Sequence, residues 1–331
     1  MPIQSSEIQW YGAAMVSDTV PAQNGGRPGA ALVSGLKNGL FPDLTPAQRD
    51  AGNTCWRKAF CLARSSSETA LGTPRVSLVA PTPGDGHALL YPATWTDTQA
   101  TRSGRPYALA LLAADASAGA TSITVTTEAD FSGMTDRPFQ VGDLIRVDAR
   151  SDLLAAGVSQ TLAAQSVSYA GATVTIGFPT PGLADGYSAG ARVASVLESA
   201  DAASAVSGLT VSGGVTYPDD GRLWAPQIGA IVQTWTLTFT SAATGAFRIE
   251  GDTVGEVGTG ATGADCAPAN PDGGQYFVLP SDGWGGAPVT GDTLVFGTTP
   301  AGVPLWLCRV TPPGAQPIAS DAILVGMEGL G

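Results

Sequence analysis

The side chains able to do acid–base or nucleophilic work are few and scattered. The single histidine, His87, stands in Gly84-Asp85-Gly86-His87, and no Gly-x-Ser-x-Gly elbow occurs. A hydrolase triad needs a histidine within reach of a nucleophile and an orienting acid; His87 is therefore expected to be a solvated turn residue. Paired carboxylates could carry glycoside hydrolysis, with Asp219-Asp220, Glu250 with Asp252, and Asp282 as candidates. All lie beside Pro or Gly, where acidic residues serve turn geometry. Asp252, Glu256 and Asp265 share a Gly-rich stretch of the kind that offers oxygens to Ca²⁺, but EF-hand spacing is absent. Neither GxxxxGK[ST] nor a strand-linked GxGxxG is read, and Gly258-Thr259-Gly260 sits among acids that would repel phosphate. Cys55, Cys61, Cys266 and Cys308 form no CxxC pair, and one histidine cannot complete a zinc site with them. Buried free thiols are expected, with a disulfide between two of them as the alternative. Trp224, Trp284 and Trp306, with Tyr217 and Tyr276, could form a sugar platform, but aromatics are only 7% of the chain and core packing is preferred. No catalytic residue, metal ligand or cofactor site is assigned, and the chain is expected not to be an enzyme.

The elements that would position these residues are short strands. Of 331 residues, 43 are Gly and 24 Pro, which favours turns over long helices. A hydrophobic fraction of 44% with positive mean hydropathy argues against disorder. Charged residues are 13%, against about 25% in ordinary globular proteins. Two readings fit: much of the surface faces other subunits, or a GC-rich genome has enriched Ala and Gly. Net charge is −12, with 12 acids and 3 arginines in residues 201–331, so a basic stripe for nucleic acid is not expected. An acidic wall could still keep DNA from sticking to a conduit. The opening run lacks the basic and apolar regions of a secretory signal, and no apolar run approaches a membrane span. Cytoplasmic synthesis of a soluble chain without membrane contact is expected.

The expected fold class is all-β: several β-sandwich or β-barrel modules with one or two short helices. Residues 1–110 form the first region. A strand is expected over Ser5–Tyr11, a turn over 23–28, and a weakly amphipathic stretch over 30–40. A short helix follows, with Thr45 as N-cap, Pro46 next, Gln48 closing a capping box and Gly52 as its stop. A strand over 55–62 comes next, then a hairpin of 75–79 and 88–91 around the turn 81–86. Residues 111–200 are read as an inserted small β-barrel or β-roll with a pseudo-repeat. The run Ala118-Gly119-Ala120-Thr121-Ser122-Ile123-Thr124-Val125 resembles Ala170-Gly171-Ala172-Thr173-Val174-Thr175-Ile176, and each precedes a Gly-led strand at Gly142 and Gly190. Residues 201–331 are expected to form a β-sandwich after a Gly/Ser-rich lead-in over 204–220. Its clearest strand is 231–240, with Ile231, Trp235, Leu237 and Phe239 on one face and threonines on the other. Strands over 246–250, 275–279, 293–296 and 304–310 complete it.

Several word-like runs resemble virion structural proteins of Mu-like transposable phages and prophages. They include Glu7-Ile8-Gln9-Trp10-Tyr11, Asn24-Gly25-Gly26-Arg27, Phe41-Pro42-Asp43, Pro81-Thr82-Pro83-Gly84-Asp85, Gln233-Thr234-Trp235-Thr236-Leu237-Thr238-Phe239, Gly283-Trp284-Gly285-Gly286 and Pro304-Leu305-Trp306. The patches span nearly the whole chain, the middle region least. The resemblance implies a virion component, above all of the tail, and carries over no functional residue. The leading expectation is a tail tube or baseplate subunit in ring-like homo-oligomers beside other virion proteins, with passive contact to DNA in a tail channel. The rivals are a capsid decoration or neck protein, and a tail-tip module that binds a host receptor or glycan.

Overall fold

Period-two patterning punctuated by Gly and Pro leaves the chain little but strands to form. The computed structural model describes residues 3–150, 157–319 and 321–330. Among them lie 21 strands, one α-helix and three 3-10 turns. The helix α1 (Pro46–Ala51) is capped as its sequence requires. Thr45 Oγ1 accepts from the Gln48 N–H (3.2 Å), the Thr45 N–H donates to Gln48 Oε1 (2.9 Å), and Gly52 leaves the helix at φ +81°.

The first sheet is antiparallel, in the order β2 (Gly25–Ala31), β1 (Ile8–Met15), β3 (Asn53–Ala63), β20 (Gly302–Thr311), β5 (His87–Pro92). Its central strands are covered on both faces and so read as near-continuous apolar runs. Ala59, Leu90, Leu305 and Leu307 join a core with Val76, Leu78, Leu109 and Leu197. From the other face Leu89, Tyr91, Trp306 and Cys308 join the core of the middle region.

The second sheet has nine strands. β10 (Ser166–Ala170), β11 (Thr173–Gly177), β7 (Ser122–Thr127), β6 (Leu109–Leu112) and β12 (Arg192–Glu198) follow one another. β8 (Leu144–Asp148) and β9 (Ser159–Ala163) continue from the other side of β12, and the whole curls as a half-barrel. Beyond β12 the sheet runs on into β4 (Gly72–Ala80) and β21 (Leu324–Leu330). The repeated segments prove to be strand partners. β7 pairs antiparallel with β11, placing Val125 opposite Val174, and β8 pairs antiparallel with β12, placing Val147 opposite Val193. Gly142 (φ +89°) and Gly190 (φ +84°) make the same left-handed turn two residues before β8 and β12.

The third sheet runs β13 (Ala205–Ser212), β19 (Thr293–Thr299), β15 (Gln233–Ser241), β16 (Ala246–Gly251), β17 (Gly255–Ala261), all antiparallel. Its inner face buries Trp235, Leu237, Phe239, Phe247, Ile249, Leu294 and Phe296. The layer covering them is mostly irregular chain, with Tyr217, Leu223, Phe277 and Leu279, plus the two-residue strands β14 (Val215–Thr216) and β18 (Gly285–Gly286).

Several sequence expectations need correction. The strand over 304–310, assigned to the third region, is the core of β20 and lies between β3 and β5, while β21 joins β4; the sheets therefore cross the expected boundaries. Pro304 is tolerated because pairing to β5 begins only at Leu305, leaving β20 one neighbour there. The strands flanking the turn 81–86 are no hairpin, since β4 and β5 belong to different sheets. The turn at 23–28 gives way to β2, and the lead-in over 204–220 contains β13. Segment 275–279 makes only isolated bridges, including Val278 to Trp224 and Leu279 to Cys266.

Candidate functional site

Five of the candidate acids are engaged by a neighbour, while Asp219 is exposed beside Asp220. Asp220 and Asp282 both bind Arg222, at 2.8 and 3.3 Å, while Glu250 pairs with Arg248 at 2.7 Å. Asp252 accepts two bonds from Arg27, at 2.8 and 2.5 Å, and one from the Thr234 N–H at 2.9 Å. Asp265 accepts from the N–H and hydroxyl of Ser281, at 2.7 and 2.8 Å. Glu256 stands on β17, so the stretch read as a calcium loop is largely a strand. Among the described residues no three acidic, His or Cys side chains converge as a metal site. Gly258-Thr259-Gly260-Ala261-Thr262-Gly263 does spell G-x-G-x-x-G, but it occupies β17 and the turn after it, with no helix following. The helix N-terminus that would hold a phosphate is missing there.

His87 is not a solvated turn residue. It opens β5, is half-buried, and sets its ring edge-to-face on Phe131 at 5.6 Å; burial lowers its pKa by disfavouring the charged imidazolium. The four cysteines are free and buried. Burial pushes Cys266 up to about 11 and Cys308 up to about 12, which holds both as unreactive thiols. Of the proposed sugar platform, Trp306, Tyr217 and Tyr276 are buried; Trp284 is half-buried against Tyr217, Phe239 and Phe247, at 4.9 to 5.5 Å. Trp224 alone is substantially exposed.

Two arrangements escaped the sequence reading because their members are far apart in the chain. Lys58, whose side chain is fully buried, donates to Asp97 Oδ1 (2.7 Å) and to the Gly26 carbonyl (2.6 Å), while Trp306 Nε1 donates to Asp97 Oδ2 (2.8 Å). Gly25 makes this possible: a Cβ there would lie 2.7 Å from the Trp306 ring. Arg146, Arg150 and Arg192 surround Asp148, at 2.7, 2.9 and 3.7 Å, with Glu328 reaching Arg146 at 2.9 Å and Arg150 at 3.3 Å. Burial pushes the Asp148 pKa up against the Arg150 backbone N–H and the charge of Arg192, which pull it down.

Neither of the two best-defined cavities suits an organic substrate. One, beside Arg146, Asp148 and Arg192, has a volume of about 10 Å³; the other, lined by Asp18, Gln48, Cys55, Arg57 and Arg309, about 70 Å³. Substrate pockets typically run to about 300–1,000 Å³. Cys55 opens on the larger, its Sγ 3.6 Å from Asp18 Oδ1, and burial raises its pKa as well. Glu128, pushed up to about 7 chiefly by burial of its carboxyl, accepts from the Thr82 N–H and lines neither cavity.

What the molecule does present is sheet surface. On the outer face of the third sheet, Thr236 lies between Val295 and Glu250, and Thr238 between Thr293 and Arg248. Among the described residues, the edge strands β13 and β17 pair with no further strand. β13 (Ala-Val-Ser-Gly-Leu-Thr-Val-Ser) carries no charge, and β17 carries only Glu256. Monomeric sheet proteins commonly guard such edges with charges, Pro or short strands. No known family, curated protein or solved structure matches this chain.

The first and third sheets are tied by the Arg27–Asp252 pair. Arg27 holds the Asp252 carboxyl below its ordinary pKa of 3.8. Its contribution is therefore fully present above that value and is lost as pH falls below it toward the depressed pKa. Because both groups are partly exposed, Arg27→Ala should cost only about 0.5–1 kcal/mol at neutral pH. Urea denaturation at neutral and strongly acidic pH should show the difference shrinking in acid; an equal loss at both would refute the ionic account.

Proposed function

We propose that this chain is a non-enzymatic structural subunit of a tailed bacteriophage particle, a tail component of tube or baseplate that assembles into ring-like oligomers. The observation that carries the reading is the third sheet, whose two edges are open and nearly uncharged. β13 on one copy and β17 on the next can extend the sheet across a subunit boundary, and a head-to-tail contact that closes on itself makes a ring. The threonine face between them is β-branched and hydrogen-bonding, suited to packing against neighbours. The runs that resemble Mu-like virion proteins support a tail location for this assembly, where the acidic excess of residues 201–331 would limit contact with DNA to a passive one.

Light scattering and negative-stain imaging of the purified chain should reveal closed oligomers, and labelled particles should carry the signal on the tail. Thr259 is exposed on β17, so Thr259→Lys should shift the population to monomer by placing a charge on the edge. A wild-type chain that stays monomeric at every concentration, or a label on the head, would remove the proposal.

A further inference from the structure

We infer that β21 is exchanged between copies, the strand of one chain docking on β4 of its neighbour. The inference rests on the assembly reading above, since exchange needs an adjacent copy. The β12 ladder reaches β4 only at Val76 and Arg75, with one side-chain bond from Arg192 to the Val79 carbonyl at 2.8 Å, whereas the β21 ladder runs on to Ser77, Leu78 and Ala80. The β21 groove is thus needed to complete that half of β4. It is also cationic: Arg146 and Arg150 have Asp148 as their buried counter-ion, and Glu328 from β21 supplies the second carboxylate. The site therefore selects an apolar strand that carries one acid, which another copy supplies in identical form.

Little obliges that strand to come from its own chain. Residues 312–323 link β20 to β21 and include Pro312, Pro313, Gly314 and Pro317. Among the described residues, this tether meets the body through three hydrogen bonds, the Gly314 N–H to the Arg49 carbonyl, the Gln316 N–H to Asp85 and the Gly84 N–H to Asp321, and through Ile323, which packs against the core just before β21 and would dock with it. Fully extended, such a tether could reach roughly 40 Å. The docked strand leaves Leu324 exposed at 50%, with Ile318 of the tether at 46%. A neighbouring body can cover these apolar groups, and because every docking contact is the same in cis and trans, exchange carries a low energetic cost.

Cross-linking decides the matter in the full chain. Met327 lies opposite Val76, and Gly326 opposite Ser77. Adjacent antiparallel positions alternate between wide and narrow spacing, so one of these pairs suits a disulfide. Val76→Cys with Met327→Cys, and separately Ser77→Cys with Gly326→Cys, would be oxidised and run on non-reducing gels. Exchange predicts a ladder of covalent dimers and higher multiples, and heterodimers when the two single-cysteine chains of a pair are mixed. Oligomers whose bridges are all intrachain would overturn exchange and leave the assembly reading intact. A monomer with intrachain bridges would overturn both, and no bridge in either pair would remove the docking itself.

Discussion

Asp97→Ala should destabilise the protein by about 3–5 kcal/mol, because it strands a buried cation. The Lys58 ammonium has no solvent exposure, and even with Asp97 2.7 Å away, burial still lowers its pKa. Removing the carboxylate also deprives Trp306 Nε1 of its acceptor at the centre of the first sheet. The loss should appear as a lower urea midpoint with an unchanged slope. Adding Lys58→Met to Asp97→Ala should recover much of it, since the double variant no longer buries an unpaired charge. A loss below about 1 kcal/mol for Asp97→Ala would mean that water reaches Lys58 and that the pair holds nothing.

Trp235→Ala should cost a similar amount, about 3–5 kcal/mol, by opening a cavity in the third sheet. The indole is fully buried, 5.0 Å from the ring of Tyr276 and 5.2 Å from that of Phe277, and its Nε1 donates to Thr298 Oγ1 at 2.9 Å. That hydroxyl donates onward to the Ile231 carbonyl at 2.7 Å, so the side chain fixes the start of β15 against β19. Trp235→Phe keeps a ring and should lose less. Near-UV circular dichroism during denaturation would report the change; equal stability of wild type and Trp235→Ala would show that the indole is not central to this core.

Some of this was legible in the residues. The alternation of Trp235, Leu237 and Phe239 with threonine fixes which face of β15 is buried, and the Thr45–Gln48 capping box locates α1. Both signals are local, and local signals survive folding. The strands β13 and β17 were hidden because Gly and Ser suppress strand propensity, while their pairing comes from ladders to β19 and β16. The half-barrel's repeat could be seen, but not that each segment would pair antiparallel with its counterpart. Least visible were the ionic clusters. Lys58, Asp97 and Trp306 are brought together by β20 entering the first sheet, and nothing in their spacing signals it. The candidate acids illustrate the converse: Asp220, Asp252 and Asp282 look available in sequence, yet each is matched to an arginine.

The position of β20 also sets an order of events during synthesis. β3 and β5 leave the ribosome more than 200 residues before the strand that must lie between them, so the first sheet cannot close until translation is nearly complete. A sheet closed by such distant segments folds slowly and keeps unpaired edges exposed meanwhile. A chain interrupted anywhere before residue 302 would lack the strand that joins β3 to β5, and both would keep an unpaired edge.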